Sequence, residues 1–247
     1  MLFTLAIIPS IALLIYIYKK DKKEKEPMRL LIKCFIWGII AIIPILIMET
    51  LVEEFLVEIC VEGSVVYSFL DGFLVAALSE ELFKYLVLKS KTWKNKAFNC
   101  TFDGIVYAVF VSLGFATFEN VMYVLDGDIS TAFLRMFTSV PGHACDAVFM
   151  GYFYSLAKKA AVNNDKRKEK KNKRRALLIP IITHGIYDGL ILMEEDVAGE
   201  DAVIIGALLW IVVVVVQFIL AFKLVNKASK NDESFYPEVE DGTFQVV

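Results

Sequence analysis

The chain has 247 residues, of which 57% are hydrophobic and 22% charged, and its formal net charge is −3. Its mean hydropathy of +0.58 excludes an ordinary soluble domain and indicates one integral membrane bundle. Its four cysteines lack the paired spacing of a zinc knuckle or a disulfide framework, so we expect them to fill apolar space.

Seven apolar stretches of roughly membrane-spanning length follow one another along the chain. They cover residues 1–18, 30–48, 65–88, 99–125, 131–157, 176–193 and 202–225. The first has no basic segment before it and no small-residue cleavage site, which predicts a retained span rather than a removed signal peptide. Residues 49–62 carry five glutamates opposite an apolar helical face, which predicts an amphipathic helix at the membrane interface. Asp126–Asp128 is predicted to be a tight turn.

The basic residues lie almost entirely in alternate loops. Of the 26 lysines and arginines, 24 fall in residues 19–33, 89–96 and 158–175 or in the segment after residue 222. Because cytoplasmic loops are enriched in lysine and arginine, this pattern predicts an external amino terminus and a cytoplasmic carboxyl terminus. The same rule explains the basic stretch 158–175, so we expect no nucleic-acid partner.

Three ionisable side chains interrupt the third apolar stretch. Glu80, Glu81 and Lys84 stand among residues that suit hydrocarbon, where charged groups are costly and mark function. Their spacing of three and four residues lets the lysine reach either carboxylate along one helix face. A structural salt-bridge cluster between helices is the alternative interpretation.

Further polar groups lie in the fourth, fifth and sixth stretches. The two histidines, His143 and His184, are each followed by an aspartate on the same helical face, Asp146 and Asp188, which we expect to orient the imidazole. Glu119 lies in the fourth stretch. A membrane histidine can also serve only as an interhelical hydrogen-bonding group.

Helical rise places four of these groups at one depth in the membrane. At ~1.5 Å per residue, they fall roughly 12–20 Å from the outer face: Glu80, Glu81, His143 and His184. Glu119 and Asp188 come out shallower, roughly 10 Å from that face. The convergence of four groups from three helices predicts a single site.

Two chemistries suit two carboxylates and two histidines in a dry cavity. In one, Glu81, His143 and His184 hold a metal such as Zn²⁺, and the second glutamate is the general base. In the other, a carboxylate moves the proton of water without a metal, and the imidazoles stabilise an oxyanion. The chain has neither an HExxH nor a GxSxG motif.

At these residues the sequence resembles the PrsW family, bacterial membrane proteases that attack anti-sigma factors. That family is similar to the type II CAAX prenyl proteases and the bacteriocin-processing enzymes. The resemblance covers about residues 72–190 and rests on Glu80-Glu81-x-x-Lys84, Phe118-Glu119-Asn120, His143 with Asp146, and His184-x-x-x-Asp188. It implies that the two glutamates are the catalytic carboxylates and the two histidines their partners. Asp188 and Lys84 depart from the CAAX pattern of asparagine and arginine and favour the PrsW branch.

These observations predict an all-α membrane bundle of about seven transmembrane helices in a bacterial plasma membrane. We expect a membrane protease domain at residues 1–228 and a polar, disordered cytoplasmic tail at 229–247. The resemblance implies an endopeptidase that makes the first cut in a single-span anti-sigma factor. The predicted site comprises Glu80, Glu81, Lys84, Glu119, His143, His184 and Asp188.

Two other functions use the same features. A proton-coupled transporter or channel would use the carboxylates and histidines as a relay, although no sequence repeat or pair of broken helices supports transport. A membrane scaffold or immunity protein would leave the cluster unexplained.

Overall fold

A computed structural model describes residues 2–126 and 129–236, and no β-strand occurs within them. The prediction of an all-α chain is therefore confirmed. The helices are α1 (Leu2–Lys20), α2 (Met28–Ile40), α3 (Ile42–Ile59), α4 (Val65–Leu70), α5 (Leu78–Thr92), α6 (Asp103–Asp126), α7 (Ile129–Phe137), α8 (Ser139–Val162), α9 (Lys166–Ile191), α10 (Glu195–Ala198) and α11 (Glu200–Lys230). A π-helical segment, Asp71–Ala77, joins α4 to α5.

In the part of the chain that the structure describes, three helical stretches are long and apolar enough to cross a membrane. They are Met28–Ile59, Asp103–Leu125 and Glu200–Lys230. Helix α11 leaves large side chains such as Leu208 and Phe222 more than half exposed, as expected of a helix that faces lipid. The count of seven spans and the orientation stay predictions.

The predicted interfacial helix at residues 49–62 is not a separate element. Its residues up to Ile59 continue α3, which meets α2 at Ala41. Thr50 lies inside this helix, and its hydroxyl donates to the Leu46 carbonyl at 2.9 Å. The helix continues because no glycine or proline separates the acidic residues from the apolar run before them. The position of these residues at the membrane interface stays a prediction.

The predicted fifth span is two helices rather than one. Helices α7 and α8 meet at Thr138, whose φ of −121° and ψ of −68° are not helical. Pro141, in the first turn of α8, has no N–H to donate to the preceding turn, so one ladder of hydrogen bonds cannot run through this point. Counting hydrophobic residues alone missed this break.

The basic stretch 158–175 is also mostly helical. Helix α8 continues to Val162, α9 begins at Lys166, and only three residues lie between them. Asp165 caps α9 by accepting a hydrogen bond from the Lys168 amide, which lowers the pKa of this carboxyl. Lys173 pairs with Glu169 one turn away at 2.6 Å.

Two predicted features fall partly outside the described residues. Asp126 ends α6, but residues 127 and 128 of the predicted turn are not described. The predicted tail begins inside α11, and residues 237–247 lie outside the description. Between them, residues 232–235 pack against residues 99–102, and Phe235 is buried.

Helix α6 forms the centre of the bundle, in contact with α1, α2 and α8. Its close approach to α8 depends on two glycines. A Cβ atom at Gly151 would lie 2.4 Å from the carbonyl oxygen of Gly104, so the two backbones touch where a larger residue would not fit. This contact fixes the position of α8, which carries His143.

A second glycine contact joins the π-helical segment to α9. A Cβ atom at Gly72 would lie 2.6 Å from the backbone nitrogen of Gly189. Gly185, one turn earlier on α9, packs against the ring of Phe73. Because glycine lets the two backbones meet, α9 brings His184 directly beside α5.

Candidate active site

One lysine joins the two adjacent carboxylates of α5. The Lys84 Nζ lies 2.7 Å from Glu80 Oε2 and 2.8 Å from Glu81 Oε1. All three side chains are buried, with at most 6% of their surface exposed. A buried charge needs a partner of opposite sign, so the lysine stabilises both carboxylates in place. The same ammonium lies 4.2 Å from the centre of the Phe115 ring, a cation–π contact.

His143, on α8, contacts this group on one side and Glu119 on the other. Its Nδ1 lies 3.2 Å from Lys84 Nζ, and its Nε2 lies 3.0 Å from Glu119 Oε2. An ammonium can only donate, so Nδ1 accepts and Nε2 carries the proton that is donated to Glu119. The ring orientation is therefore set by groups on α5 and α6.

His184, on α9, lies between the carboxylates of Glu81 and Asp188. Its Nδ1 is 3.1 Å from Glu81 Oε1, and its Nε2 is 3.0 Å from Asp188 Oδ2. Asp188 therefore stands where the sequence places it, one helical turn beyond the histidine. The two imidazole rings are 5.3 Å apart and nearly perpendicular.

Asp146 does not orient His143, contrary to the expectation from its spacing. Its Oδ1 accepts hydrogen bonds from the hydroxyl of Thr183 at 2.5 Å and from the amide of Gln217 at 2.8 Å. These partners lie on α9 and α11, so Asp146 ties three helices together. Spacing of three residues puts two side chains on one face but does not fix where each points.

Glu119 joins the cluster despite its predicted shallower position. Its carboxylate contacts His143 and, at 2.8 Å, the guanidinium of Arg135 on α7. Arg135 also donates from its Nε to Asn120 and stacks over the ring of Tyr123. No role was predicted for Arg135, which the break between α7 and α8 places beside Glu119.

A cavity of about 390 Å³ opens on one side of the cluster. Glu80, both histidines and Glu119 line it, whereas Glu81 and Lys84 do not. Other acidic side chains face the same space: Glu49, Glu53, Asp71, Asp146 and Asp188. Glu49 was assigned to an interfacial helix from the sequence, and the continuation of α3 brings it here. Its position inside an apolar run was the available signal.

The central residues are able to bind a metal ion. One ligand atom each from Glu80, Glu81, His143 and His184 can be chosen so that all lie within 4.8 Å of one another, and all four residues are buried. The second oxygen of Glu81 is buried without a hydrogen-bond partner. Two imidazole nitrogens with carboxylate oxygens form a ligand set that suits zinc and related ions. Lys84 contacts three of the four groups and so competes with a metal for them.

Comparison with known proteins agrees with this geometry. The family profile described as "PrsW family intramembrane metalloprotease" matches residues 26–221. The chain is similar to Protease PrsW of Geobacillus kaustophilus, at 34% identity over 209 residues, 85% of this chain and 88% of that protein. It is 36% identical to Protease PrsW of Clostridioides difficile, over 85% of this chain and 87% of that protein.

A third relative is Protease PrsW of Bacillus subtilis, 35% identical over 74% of this chain and 78% of that protein. No solved structure matches the chain.

Proposed function

The chain belongs to the PrsW family of intramembrane metalloproteases, and from this premise we propose that it cleaves a membrane-anchored protein at the Glu80 cavity. The chain is a peptidase and an integral membrane protein. Because this family consists of proteases, we set aside the interpretation of the chain as a proton-coupled transporter. The observation that carries the proposal is the convergence of Glu80, Glu81, His143 and His184, three of which line one cavity.

Glu80 is the general base in this proposal. It lines the cavity, whereas the adjacent Glu81 is fully buried and holds Lys84 and His184. A general base must come within hydrogen-bond reach of the water it activates, and only a group at the cavity surface can do so.

The reaction is hydrolysis of a peptide bond. Glu80 accepts a proton from a water molecule as the water oxygen bonds to the carbonyl carbon of the substrate. The C–N bond then breaks, and Glu80 returns the proton to the leaving amine. The products are a new carboxyl terminus and a new amino terminus, and Glu80 ends in its starting state.

Glu81, His143 and His184 are the proposed metal ligands, and Zn²⁺ is the proposed ion. When bound, such an ion supplies Lewis acidity for the carbonyl and lowers the pKa of water. Glu119 and Asp188 hold the outer nitrogens of the two imidazoles, as second carboxylates do for histidine ligands in metal sites. Lys84 keeps Glu80 and Glu81 in position between the helices.

The proposed substrate is a single-span anti-sigma factor, cut at its first site during envelope stress. This substrate class follows from the PrsW resemblance. The proposed setting is a bacterial plasma membrane crossed about seven times, with the carboxyl terminus in the cytoplasm, as the location of 24 of the 26 basic residues supports. Residues 1–228 form the proposed protease domain, with residues 229–247 as a cytoplasmic tail.

The test is cleavage by purified protein in lipid vesicles. A tagged single-span anti-sigma factor is reconstituted with the wild type or with the Glu80→Gln, Glu81→Gln double variant. We expect new fragments with the wild type alone, and chelation should stop their formation. Cleavage of other single-span proteins but not of the anti-sigma factor would refute the substrate class. Cleavage by the double variant at the wild-type rate would refute the site.

A further inference from the structure

A second cluster of metal-ligand side chains lies far from the cavity, at the beginning of α6. Cys100 and Asp103 precede or begin that helix, and Asp232 follows the end of α11. One ligand atom from each of the three lies within 4.8 Å of the others. Asp103 and Glu119 are sixteen residues apart on α6, roughly 24 Å at the rise of a helix. The two clusters are therefore separate sites.

Two oxygens of this cluster are buried without a partner. Asp103 Oδ2 accepts hydrogen bonds from the amides of Asn99 and Cys100, at 2.9 and 2.6 Å, but its Oδ1 has no partner. Asp232 Oδ1 accepts from the Phe102 amide at 2.8 Å, and its Oδ2 likewise has no partner. Asp103 is only 1% exposed. A buried carboxylate oxygen left without a partner is costly, and a cation is one way to satisfy it.

The charge around these oxygens is negative. Asp21 and Glu26, from the segment between α1 and α2, are buried beside Asp103 and Asp232 and raise the density of negative charge there. Two lysines act on this group, Lys23 on Asp232 and Lys25 on Asp21. Two ammonium groups do not balance four carboxylates, and a divalent cation would offset the remaining two charges.

The backbone holds the three ligands together. The Thr101 amide donates to the Glu233 carbonyl at 3.0 Å, and the Phe235 amide donates to the Asn99 carbonyl at 2.7 Å. These bonds fasten the segment after α11 to the segment before α6. The ligands are therefore positioned by backbone on both sides, as in a structural site.

We propose that Cys100, Asp103 and Asp232 form a second, structural metal site that takes Zn²⁺ and ties the end of α11 to the beginning of α6. A thiolate with carboxylates suits zinc, whereas Mg²⁺ and Ca²⁺ prefer oxygen ligands alone. On binding, the Cys100 thiol releases its proton to solvent as the sulfur–zinc bond forms. The proposal does not depend on the catalytic mechanism.

The test uses the sulfur ligand as a signature. The purified full chain is stripped with chelator and titrated with Co²⁺, whose bonds to thiolate give a charge-transfer absorption band. We expect the band in the wild type and in the His143→Ala, His184→Ala double variant, since the catalytic cluster contains no cysteine. Cys100→Ser should abolish it, and the control Cys60→Ser should retain it. No band in the wild type, or an undiminished band in Cys100→Ser, would overturn the proposal.

A second variant guards against misfolding of Cys100→Ser. Asp232→Asn changes a residue outside the helices and keeps the side-chain size. We expect it to weaken Zn²⁺ binding at this site by more than about tenfold, because even outer-shell changes cost 10- to 100-fold. Zinc should also raise the unfolding temperature of the wild type more than that of Asp232→Asn. Equal affinity and equal zinc-induced shifts in the two proteins would show that the carboxyl groups share protons rather than a metal.

Discussion

Glu80 and Glu81 are neighbours in the chain, yet only Glu80 lines the cavity, while Glu81 is enclosed between Lys84 and His184. Adjacent residues on a helix point about 100° apart, so one carboxylate of α5 faces the cavity while the next is enclosed by protein. The two carboxylates therefore have different expected roles, even though each lies against the same ammonium.

This difference predicts different defects for two matched substitutions. Glu80→Gln should lower the cleavage rate by ~10²–10⁴-fold, because an amide cannot accept the proton of water. It should keep bound metal. Glu81→Gln should lower the metal content as well as the rate, because it removes a proposed ligand. Cleavage assays and metal analysis of the same samples make the comparison. Equal metal content in both variants would contradict the division of roles.

Lys84→Met should reduce activity while the protein still inserts in the membrane. The substitution keeps a long side chain but leaves Glu80 and Glu81 without their shared ammonium. Displacement of a catalytic group by about 1 Å can cost ~10²-fold in rate, and we expect a loss of that order. Lys158→Met, which removes an ammonium bound to the Trp93 carbonyl, is the control. Full activity in Lys84→Met would show that the lysine does not position the glutamates.

Arg135 is predicted to matter through Glu119. Arg135→Gln should lower the rate of cleavage by ~10–100-fold, the usual cost of losing a group that orients a metal-ligating histidine. Arg135→Lys keeps the positive charge and should recover part of the activity. The measurement is cleavage rate together with metal affinity. If the glutamine and lysine variants are equally active, the ion pair with Glu119 has no role in the reaction.

Alanine substitutions at the contact between the π-helical segment and α9 are predicted to destabilise the protein. Gly189→Ala places a Cβ atom 2.6 Å from the Phe69 ring, and Gly72→Ala places one at the same distance from α9 backbone. Overpacking of this kind costs about 1–3 kcal/mol, so both variants should unfold at lower temperature. Gly142→Ala is the stability control, since a Cβ atom there meets nothing within 4 Å. A larger loss in Gly142→Ala than in Gly72→Ala would contradict the packing argument.

The membrane orientation is testable with fusions. A reporter placed after Asp126 should be external, and one placed at Lys166 should be cytoplasmic, because the basic residues cluster on the second side. Accessibility to a membrane-impermeant reagent provides the readout. The opposite pattern would reject the proposed orientation and the depths calculated from it.

Much of the site could be predicted from the sequence because charged residues in apolar helices are rare and costly. Glu80, Glu81, Lys84 and both histidines were identified in this way. Arg135 was not, because its position depends on where α7 ends, which Pro141 controls and hydropathy does not report. Asp146 was misassigned because its partners, Thr183 and Gln217, are distant in sequence. The spacing Gly185-x-x-x-Gly189 was a readable signal of close helix packing that hydropathy leaves out.

The π-helical segment determines how the residue that packs against α9 is rotated about the helix axis relative to the carboxylates of the site. Gly72 and Glu81 are nine residues apart, which is about two and a half turns of a regular α-helix and would place them on opposite sides. In the structure both meet α9, Gly72 at Gly189 and Glu81 at His184. A π turn holds more residues than an α turn and so offsets part of this difference. The π-helical turns therefore bring the face that anchors the helix to α9 and the face that carries the reacting carboxylates to the same side.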